Sequence, residues 1–305
     1  MTVMRIATRG SALALAQTKL VARMLEDKHP GLHTELVIVS TRGDQDVEQP
    51  LWKMEGVGFF TTQLERALLD GRADVAVHSY KDLPTADTAG LMIAAVPVRE
   101  NPADCVVSRL KIGSFMQIAP SAFVGTSSLR RQAQLLRLRP DLTIKPIRGN
   151  VNTRLRKMDE GQYDLLIMAA AGLLRLGLQE RITFMLEPDR FLPAPAQGAL
   201  AVQVRADDAA TRMVVEAIDD RQTRTLVEAE RIVLRRLHPG CHAPVGVYAR
   251  RVGQRIVMSA FASRPDGTDE LRCQVEGNFA AAQAVAEGLA EKMISGGAID
   301  ILEEG

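Results

Sequence analysis

Cysteine is scarce in this chain of 305 residues, which has only Cys105, Cys241 and Cys273. Three scattered thiols cannot build a disulfide scaffold at this length, and they read as reduced side chains. The N-terminus, Met-Thr-Val-Met-Arg-Ile-Ala-Thr-Arg-Gly, has no apolar core of signal-peptide length, and no run reaches the ~20 apolar residues of a membrane span. A cytoplasmic protein is the expectation. Net charge is nearly absent too, at +1, which leaves no global field to draw the chain to nucleic acid or to a membrane. No strongly apolar surface stripe asks for a partner, so a monomer is expected. Lysine is the last deficit, with eight lysines against 30 arginines. Arginine suits planar, bidentate recognition of carboxylates, although a coding bias yields the same ratio. What is present, 46% apolar and 25% charged residues, is the make-up of an ordinary globular protein long enough for two or three domains.

The stretch 123–156 organises the rest. A short apolar strand from Phe123 runs into Gly125-Thr126-Ser127-Ser128 and then Leu129-Arg130-Arg131. Leu129, Ala133 and Leu136 recur at i, i+4 and i+7 with Leu135 and Leu138 beside them, which predicts a helix whose natural N-cap is Ser128. Two arginines in its first turn face the positive end of the macrodipole, at a cost of about 0.3–1 kcal/mol each. A docked anion reverses that cost. Backbone amides and hydroxyls at a helix N-terminus, with guanidinium groups beside them, suit a carboxylate or a phosphate. The alternative is a pair of solvated surface arginines. Arg148-Gly149-Asn150 and Arg154 recur around a second strand-to-helix turn, after a strand at 144–147, and this favours the anion site.

Residues 4–96 alternate strand and helix. A strand at 4–7 leads through Thr8-Arg9-Gly10-Ser11 to a helix with Leu13, Ala16, Leu20 and Met24 on one apolar face. A strand at 35–40, a polar loop at 41–49 and a helix announced by a Thr62/Glu65 capping box follow. A strand at 74–78 then delivers His78-Ser79-Tyr80-Lys81-Asp82 to its carboxyl end, where ligands gather in mostly parallel sheets. Breaks at 97–102 and at 192–198 enclose a second α/β unit, with a strand at 164–168 and a helix at 172–176 carrying Arg175. The strand-like run 199–204 has no partner of its own kind downstream, so it is expected to rejoin the first lobe. From about Asp220 a helix at 223–237, three antiparallel strands and an alanine-rich helix at 279–293 form a small α+β domain. The expected architecture is two α/β lobes with a cleft between them, like the fold of periplasmic binding proteins, plus this C-terminal domain. Its domains are 1–97 with 198–216, then 103–192, then 220–305.

Among residues that carry chemistry, Cys241 sits in the loop His238-Pro239-Gly240-Cys241-His242. A nucleophile or covalent attachment point is the sharper reading, against an inert loop thiol or a zinc ligand. Zinc is disfavoured because the three candidate ligands crowd within five positions and lack an obvious fourth. Cys105 and Cys273 lie in apolar strand patterns and read as small core residues. Asp82 can accept hydrogen bonds from two N–H groups and stabilise nearby positive charge; the plainer role is a turn residue or cap. His78, within an apolar strand, reads as a buried, hydrogen-bonded histidine rather than an acid or base.

With these pieces placed, the chain resembles the porphobilinogen deaminase (hydroxymethylbilane synthase) family over essentially its whole length. The matching stretches are Ile6-Ala7-Thr8-Arg9-Gly10-Ser11, the run from Ala76 through Lys81-Asp82 to Pro84, the run from Val124 to Arg131, Arg148-Gly149-Asn150, the run from Ala171 through Arg175 to Gly177, and Pro239-Gly240-Cys241. The resemblance implies a cytoplasmic transferase that joins four porphobilinogens head to tail into hydroxymethylbilane with release of ammonia. It implies a dipyrromethane cofactor held by a thioether to Cys241. It makes Asp82 the catalytic aspartate, with Lys81 beside it, and Lys81, Asp82, Thr126, Ser128, Arg130 and Arg131 cofactor-binding residues. Arg9, Ser11, Arg148, Arg154, Arg175 and Gln197 become substrate-binding, and no metal is implied. The chemistry agrees, because porphobilinogen carries acetate and propionate arms that need guanidinium partners. The chain departs from the family at Val57, which replaces a lysine in the loop Glu55-Gly56-Val57-Gly58 near Lys53. It departs also at Gln203, in place of a common acidic residue, and at Ala196, in place of a glycine. The alternative is a non-catalytic bilobal binding protein for an anionic small molecule, which has no use for Cys241 or Asp82.

Overall fold

The computed structural model describes residues 2–40, 61–237 and 243–303. The polar loop at 41–49, Lys53, the loop at 55–58 with Val57, and His238, Cys241 and His242 lie outside the described residues. The described residues divide into two compact units; the first takes 2–40, 61–100 and 198–224, the second 101–197, 225–237 and 243–303.

In the first unit β1 (Thr2–Thr8) pairs in parallel with β2 (Leu32–Ile38) and β3 (Val75–Ser79). The connections are α1 (Ala12–Lys28) and α2 (Thr62–Leu69), and β4 (Leu91–Ala95) follows. Val75, Ala76 and Val77 are all buried, as befits a strand covered on both faces. Two local expectations are corrected. The buried face of α1 is Gln17, Thr18, Val21, Ala22 and Leu25, whereas Leu13, Ala16 and Met24 are half-buried and Leu20 is exposed. The rotation follows from polar partners: the Thr18 hydroxyl donates to Thr8 Oγ1 at 2.7 Å and Gln17 reaches Ser79. In α2 the N-cap is Thr61, with no side-chain cap bond. Glu65 is buried instead of folding back on the helix start, and its Oε1 accepts from Thr88 Oγ1 at 2.8 Å and from Gln203 Nε2 at 3.1 Å.

The second unit opens with β5 (Asp104–Ser108), β6 (Phe123–Gly125), α3 (Leu129–Leu138) and β7 (Thr143–Lys145). It continues with α4 (Val151–Asp159), β8 (Leu165–Ala169), α5 (Ala170–Arg175) and β9 (Phe184–Met185), giving the sheet order β7-β6-β8-β5-β9. The chain then returns to the first unit as β10 (Leu200–Arg205), inserted between β3 and β4, as expected of the run without a downstream partner. In each sheet a single strand, β10 or β5, runs against the others. That reversal has a local consequence. The first residue of β5, Asp104, pairs with Ala169 at the carboxyl end of β8.

After α6 (Ala209–Glu216) comes α7 (Arg221–Leu237), then an antiparallel sheet of β11 (Val245–Val252), β12 (Arg255–Ala262) and β13 (Leu271–Asn278), then α8 (Ala282–Ser295) and α9 (Ala298–Glu303). Val233 and Leu237 of α7 and Leu289 and Met293 of α8 pack on Val247, Met258 and Ala260 in a core of their own. Residues 192–197 are bound to this sheet within the second unit. The Val247 N–H donates to Pro193 O at 3.1 Å, and Leu192 is buried with Ala133 and Phe261.

Gly246 is what lets this strap of residues 192–197 approach. A Cβ there would lie 2.9 Å from both the Cβ and the backbone oxygen of Leu192 and 3.0 Å from Phe261. Gly246→Ala should therefore lower stability by about 1–3 kcal/mol, the usual cost of overpacking. Gly288 in α8 has nothing within 4 Å of its would-be Cβ, and Gly288→Ala should gain up to about 1 kcal/mol of helix propensity. Denaturant midpoints of the two variants measure the contrast; equal effects would contradict the close approach.

Candidate active site

In the first unit, the parallel strands β1 and β3 end side by side. Ser11, just beyond β1, caps α1 by accepting the Ala14 N–H at 3.3 Å. The turn Tyr80–Asp82 follows β3, and Gln17 Nε2 donates to Ser79 Oγ at 3.0 Å, tying α1 to that strand end. The unit thus brings Arg9, Ser11, Lys81 and Asp82 to one edge of one sheet. The first three are half-buried and Asp82 is exposed. Among the described residues, none gives a hydrogen bond to the Asp82 carboxylate.

His78 is buried, as its place in an apolar strand suggested. Its Nε2 meets Gln203 Oε1 at 3.0 Å. The Gln203 amide nitrogen faces the acceptor-only carboxylate of Glu65, so Gln203 turns its oxygen to His78 and the ring carries its proton on Nε2. Burial draws the His78 pKa down to about 4, against the opposing pull of Glu65 and of the Gln203 hydrogen bond. The ring is neutral at physiological pH and takes no part as an acid.

In the second unit, Ser128 caps α3 as expected, its hydroxyl accepting the Arg131 N–H. Ser128 N–H donates to Thr126 Oγ1 at 3.2 Å. Ser127 is the rivet between two strand-to-helix turns: its hydroxyl donates to Ile147 O at 2.6 Å and accepts the Ile147 N–H at 2.9 Å. That sets the start of α3 beside Arg148 and the start of α4, where Asn150 is the cap and Arg154 Nε donates to Gly149 O at 2.8 Å. Arg148 and Arg154 are half-buried, as is Arg175 at the end of α5.

Arg130 and Arg131 are not solvated; they are 4% and 7% exposed. The anion at the head of α3 belongs to the chain itself. Asp104 Oδ2 accepts Arg130 Nη1 at 2.7 Å, while Oδ1 accepts Arg131 Nε at 3.0 Å, Arg131 Nη2 at 2.7 Å and Gln197 Nε2 at 2.9 Å. Arg130 and Arg131 also donate to Leu192 O and Ile167 O. Burial alone would push the Asp104 pKa up, but the two guanidinium groups outweigh it and hold the carboxyl well below the usual carboxylate range. Burial draws Arg130 down from its ordinary value, against Asp104. Next door, burial pushes the Cys105 thiol up to about 12, so Cys105 is an inert core residue, and Cys273 is buried likewise. Asp104 is the residue that sequence reasoning missed. Its signal was a lone acid opening the apolar strand Cys105-Val106-Val107, opposite in sign to two arginines that lacked a partner.

Two family models match the chain: the porphobilinogen deaminase dipyrromethane cofactor binding domain over residues 4–213, and the porphobilinogen deaminase C-terminal domain over 224–295. The chain belongs to the porphobilinogen deaminase family. Porphobilinogen deaminase is a transferase of porphyrin and haem biosynthesis that polymerises porphobilinogen into hydroxymethylbilane and uses a dipyrromethane cofactor. The alternative of a non-catalytic binding protein is not favoured. Among solved structures, the methionine binding protein MetQ is 14% identical over 75% of this chain and 94% of its own, with a TM-score of 0.47. A YaeC-family lipoprotein from Enterococcus faecalis V583 is 16% identical over 76% and 97%, with a TM-score of 0.42. The VFT2 domain of Bordetella pertussis BvgS is 16% identical over 71% and 86%, with a TM-score of 0.43.

The donor set in the second unit suits the cofactor of a porphobilinogen deaminase. Two buried guanidinium groups share one carboxylate, so the cluster keeps a positive charge in excess.

The Asp104 carboxylate carries a stability prediction whose sign follows from its lowered pKa. Its contribution is complete above the unfolded value near pH 3.9 and is lost as the pH falls below it toward the folded value. Breaking this buried pair by Asp104→Asn should cost about 3–5 kcal/mol at pH 7. The deficit should shrink as both proteins are titrated below pH 4. A deficit that is constant down to pH 2 would show that charge is not what Asp104 supplies.

Proposed function

We propose that this member of the porphobilinogen deaminase family divides its work between the two sets of strand ends. Asp82 acts as the catalytic carboxylate with Lys81 beside it. Arg130, Arg131, Thr126 and Ser128 hold the cofactor, and Arg9, Ser11, Arg148, Arg154 and Arg175 receive the arms of the substrate; Gln197, expected among them, is buried with both amide donors spent on Pro102 O and Asp104 Oδ1 and braces the arginine pair instead. Cys241 carries the cofactor through a thioether. When bound, the dipyrromethane supplies the pyrrole whose free α-carbon takes the first porphobilinogen. The observation that carries the reading is the exposed Asp82 carboxylate, which no described residue engages, at a strand end shared with Arg9 and Ser11.

Porphobilinogen loses ammonia when its aminomethyl C–N bond breaks, leaving a cationic methylene pyrrole. The Asp82 carboxylate accepts pyrrole N–H hydrogen bonds and offsets the positive charge as it develops, an interaction stronger in the transition state than before it. The pyrrole α-carbon of the growing chain then forms the new C–C bond and gives up its proton. Each cycle adds two carboxylates, which the guanidinium groups bind in ground and transition states alike. The same reading makes the protein a cytoplasmic monomer that engages neither nucleic acid nor membrane; among the described residues no helix is long and apolar enough to cross a membrane. Its three domains are 1–97 with 198–216, 103–192 and 220–305. The separate core of the β11–β13 sheet supports counting the last as its own domain.

Protein made in cells supplied with porphobilinogen should weigh more than its 33.3 kDa sequence by an adduct of two pyrrole rings. Cys241→Ser should lose the adduct while Cys105→Ser and Cys273→Ser keep it, and an unmodified wild-type mass would sink the assignment. At Asp82, Asn keeps volume and one carbonyl acceptor but lacks the charge. We expect Asp82→Asn to lower kcat by at least roughly 10²–10³ with KM changed far less. A cooler melt with near-normal turnover in the same sample would remove Asp82 from the mechanism.

A further inference from the structure

Glu230 lies two turns before the end of α7 and is 0% exposed. A carboxylate so buried must satisfy its oxygens inside the protein. Its Oε2 accepts the Ala196 N–H at 2.7 Å and its Oε1 accepts the Ala249 N–H at 2.9 Å. One side chain thus joins three pieces: α7, β11, and the strap at 192–197. α7 and β11 are the described elements on either side of residues 238–242.

The strap leads straight into the arginine cluster. Ala196 has φ +60°, a left-handed conformation in which an L side chain is strained, and it is buried. Such a backbone persists only where its surroundings hold it, and the hydrogen bond to Glu230 is one of the holds. The next residue, Gln197, gives both donors of its amide group to the second unit, to Pro102 O at 2.8 Å and to Asp104 Oδ1 at 2.9 Å. Upstream, Leu192 O accepts from Arg130 and Gln134, and Pro193 O accepts from Val247 of β11. The path from Glu230 through Ala196 and Gln197 to Asp104, Arg130 and Arg131 is continuous and fully buried.

We propose that Glu230 is a positioning residue: through the strained Ala196 turn it aims Gln197 at Asp104, and so fixes the arginine pair in register with the two elements that flank the Cys241 loop. This rests on the reading that Cys241 carries the cofactor. The geometry demands two acceptors on one rigid group. Glutamine at 230 offers a single oxygen and turns an NH2 toward one of the two amides, so shape alone does not substitute.

The test compares Glu230→Gln, Gln197→Ala and the double variant in the full chain. Cofactor loading is followed by intact mass after adding porphobilinogen to unmodified protein. Amide hydrogen exchange at Ala196 and Ala249 is followed in the same samples. The expected result is that Glu230→Gln speeds exchange at both amides and slows loading about tenfold, the size expected of one unpaired buried donor, with melting temperature moving independently of loading. In the Gln197→Ala background Glu230→Gln should slow loading little further, because the path is already cut. Loading at the wild-type rate in Glu230→Gln, or independent multiplication of the two effects, overturns the proposal. If Glu230→Gln does not fold, exchange in the wild type decides. Ala196 and Ala249 should open together at one rate, and separate openings with Ala249 far slower overturn the link. A wild type that never loads would instead overturn the Cys241 reading, and the exchange results would still decide the role of Glu230.

Discussion

The carboxylate of Asp104 is the constraint on which the second unit depends. Two guanidinium groups buried at the head of one helix would repel each other and face the wrong end of its dipole. A single carboxylate among them turns that penalty into a frame, with four hydrogen bonds onto its two oxygens. Because Arg131 grips one oxygen with two nitrogens while Arg130 holds the other, both forks are oriented before any ligand arrives. Arginines oriented in advance give up little rotamer freedom on binding, the form of preorganisation that a ligand carrying many carboxylates can use repeatedly.

Much of this was legible in the chain itself. The strand-to-helix turns at Ser128 and Asn150, the return of β10 to the first sheet and the buried state of His78 all followed from patterns of apolar spacing and capping chemistry. The misreadings share one physical cause. The face of α1 was drawn from apolar residues alone, yet Gln17 and Thr18 face inward there, and Glu65, expected to cap its own helix, turns to Gln203 instead. Spacing reports which side chains are apolar; it does not report which polar ones will find partners inside. Asp104 and Glu230, and the bracing role of Gln197, were opaque for the same reason, since their partners lie far off in sequence and only the fold brings them together.

The resemblance implies a glycine where this chain has Ala196, and the backbone there gives such a glycine a reason. The backbone there is left-handed, which glycine adopts without cost. This chain keeps the turn with an alanine because the segment is anchored on both sides, by Pro193 to β11 and by Gln197 to Asp104. Gln203 shows the opposite kind of tolerance. Between Glu65 and His78 an amide can donate to one and accept from the other, so a neutral residue completes a row that an acid at this place would crowd with a second carboxylate.

The reversed direction of β5 makes the length of chain leading into it unforgiving. Asp104 faces the arginines only because it is the first residue of a strand that starts at the ligand end of its sheet. Insert or delete one residue before it, and either Ala103 or Cys105 comes into that place. Neither brings a carboxylate. Surface loops elsewhere in the unit can drift in length as descendants of this chain diverge. The segment 101–103 cannot, and among relatives it should hold a constant residue count even where its sequence is unrecognisable.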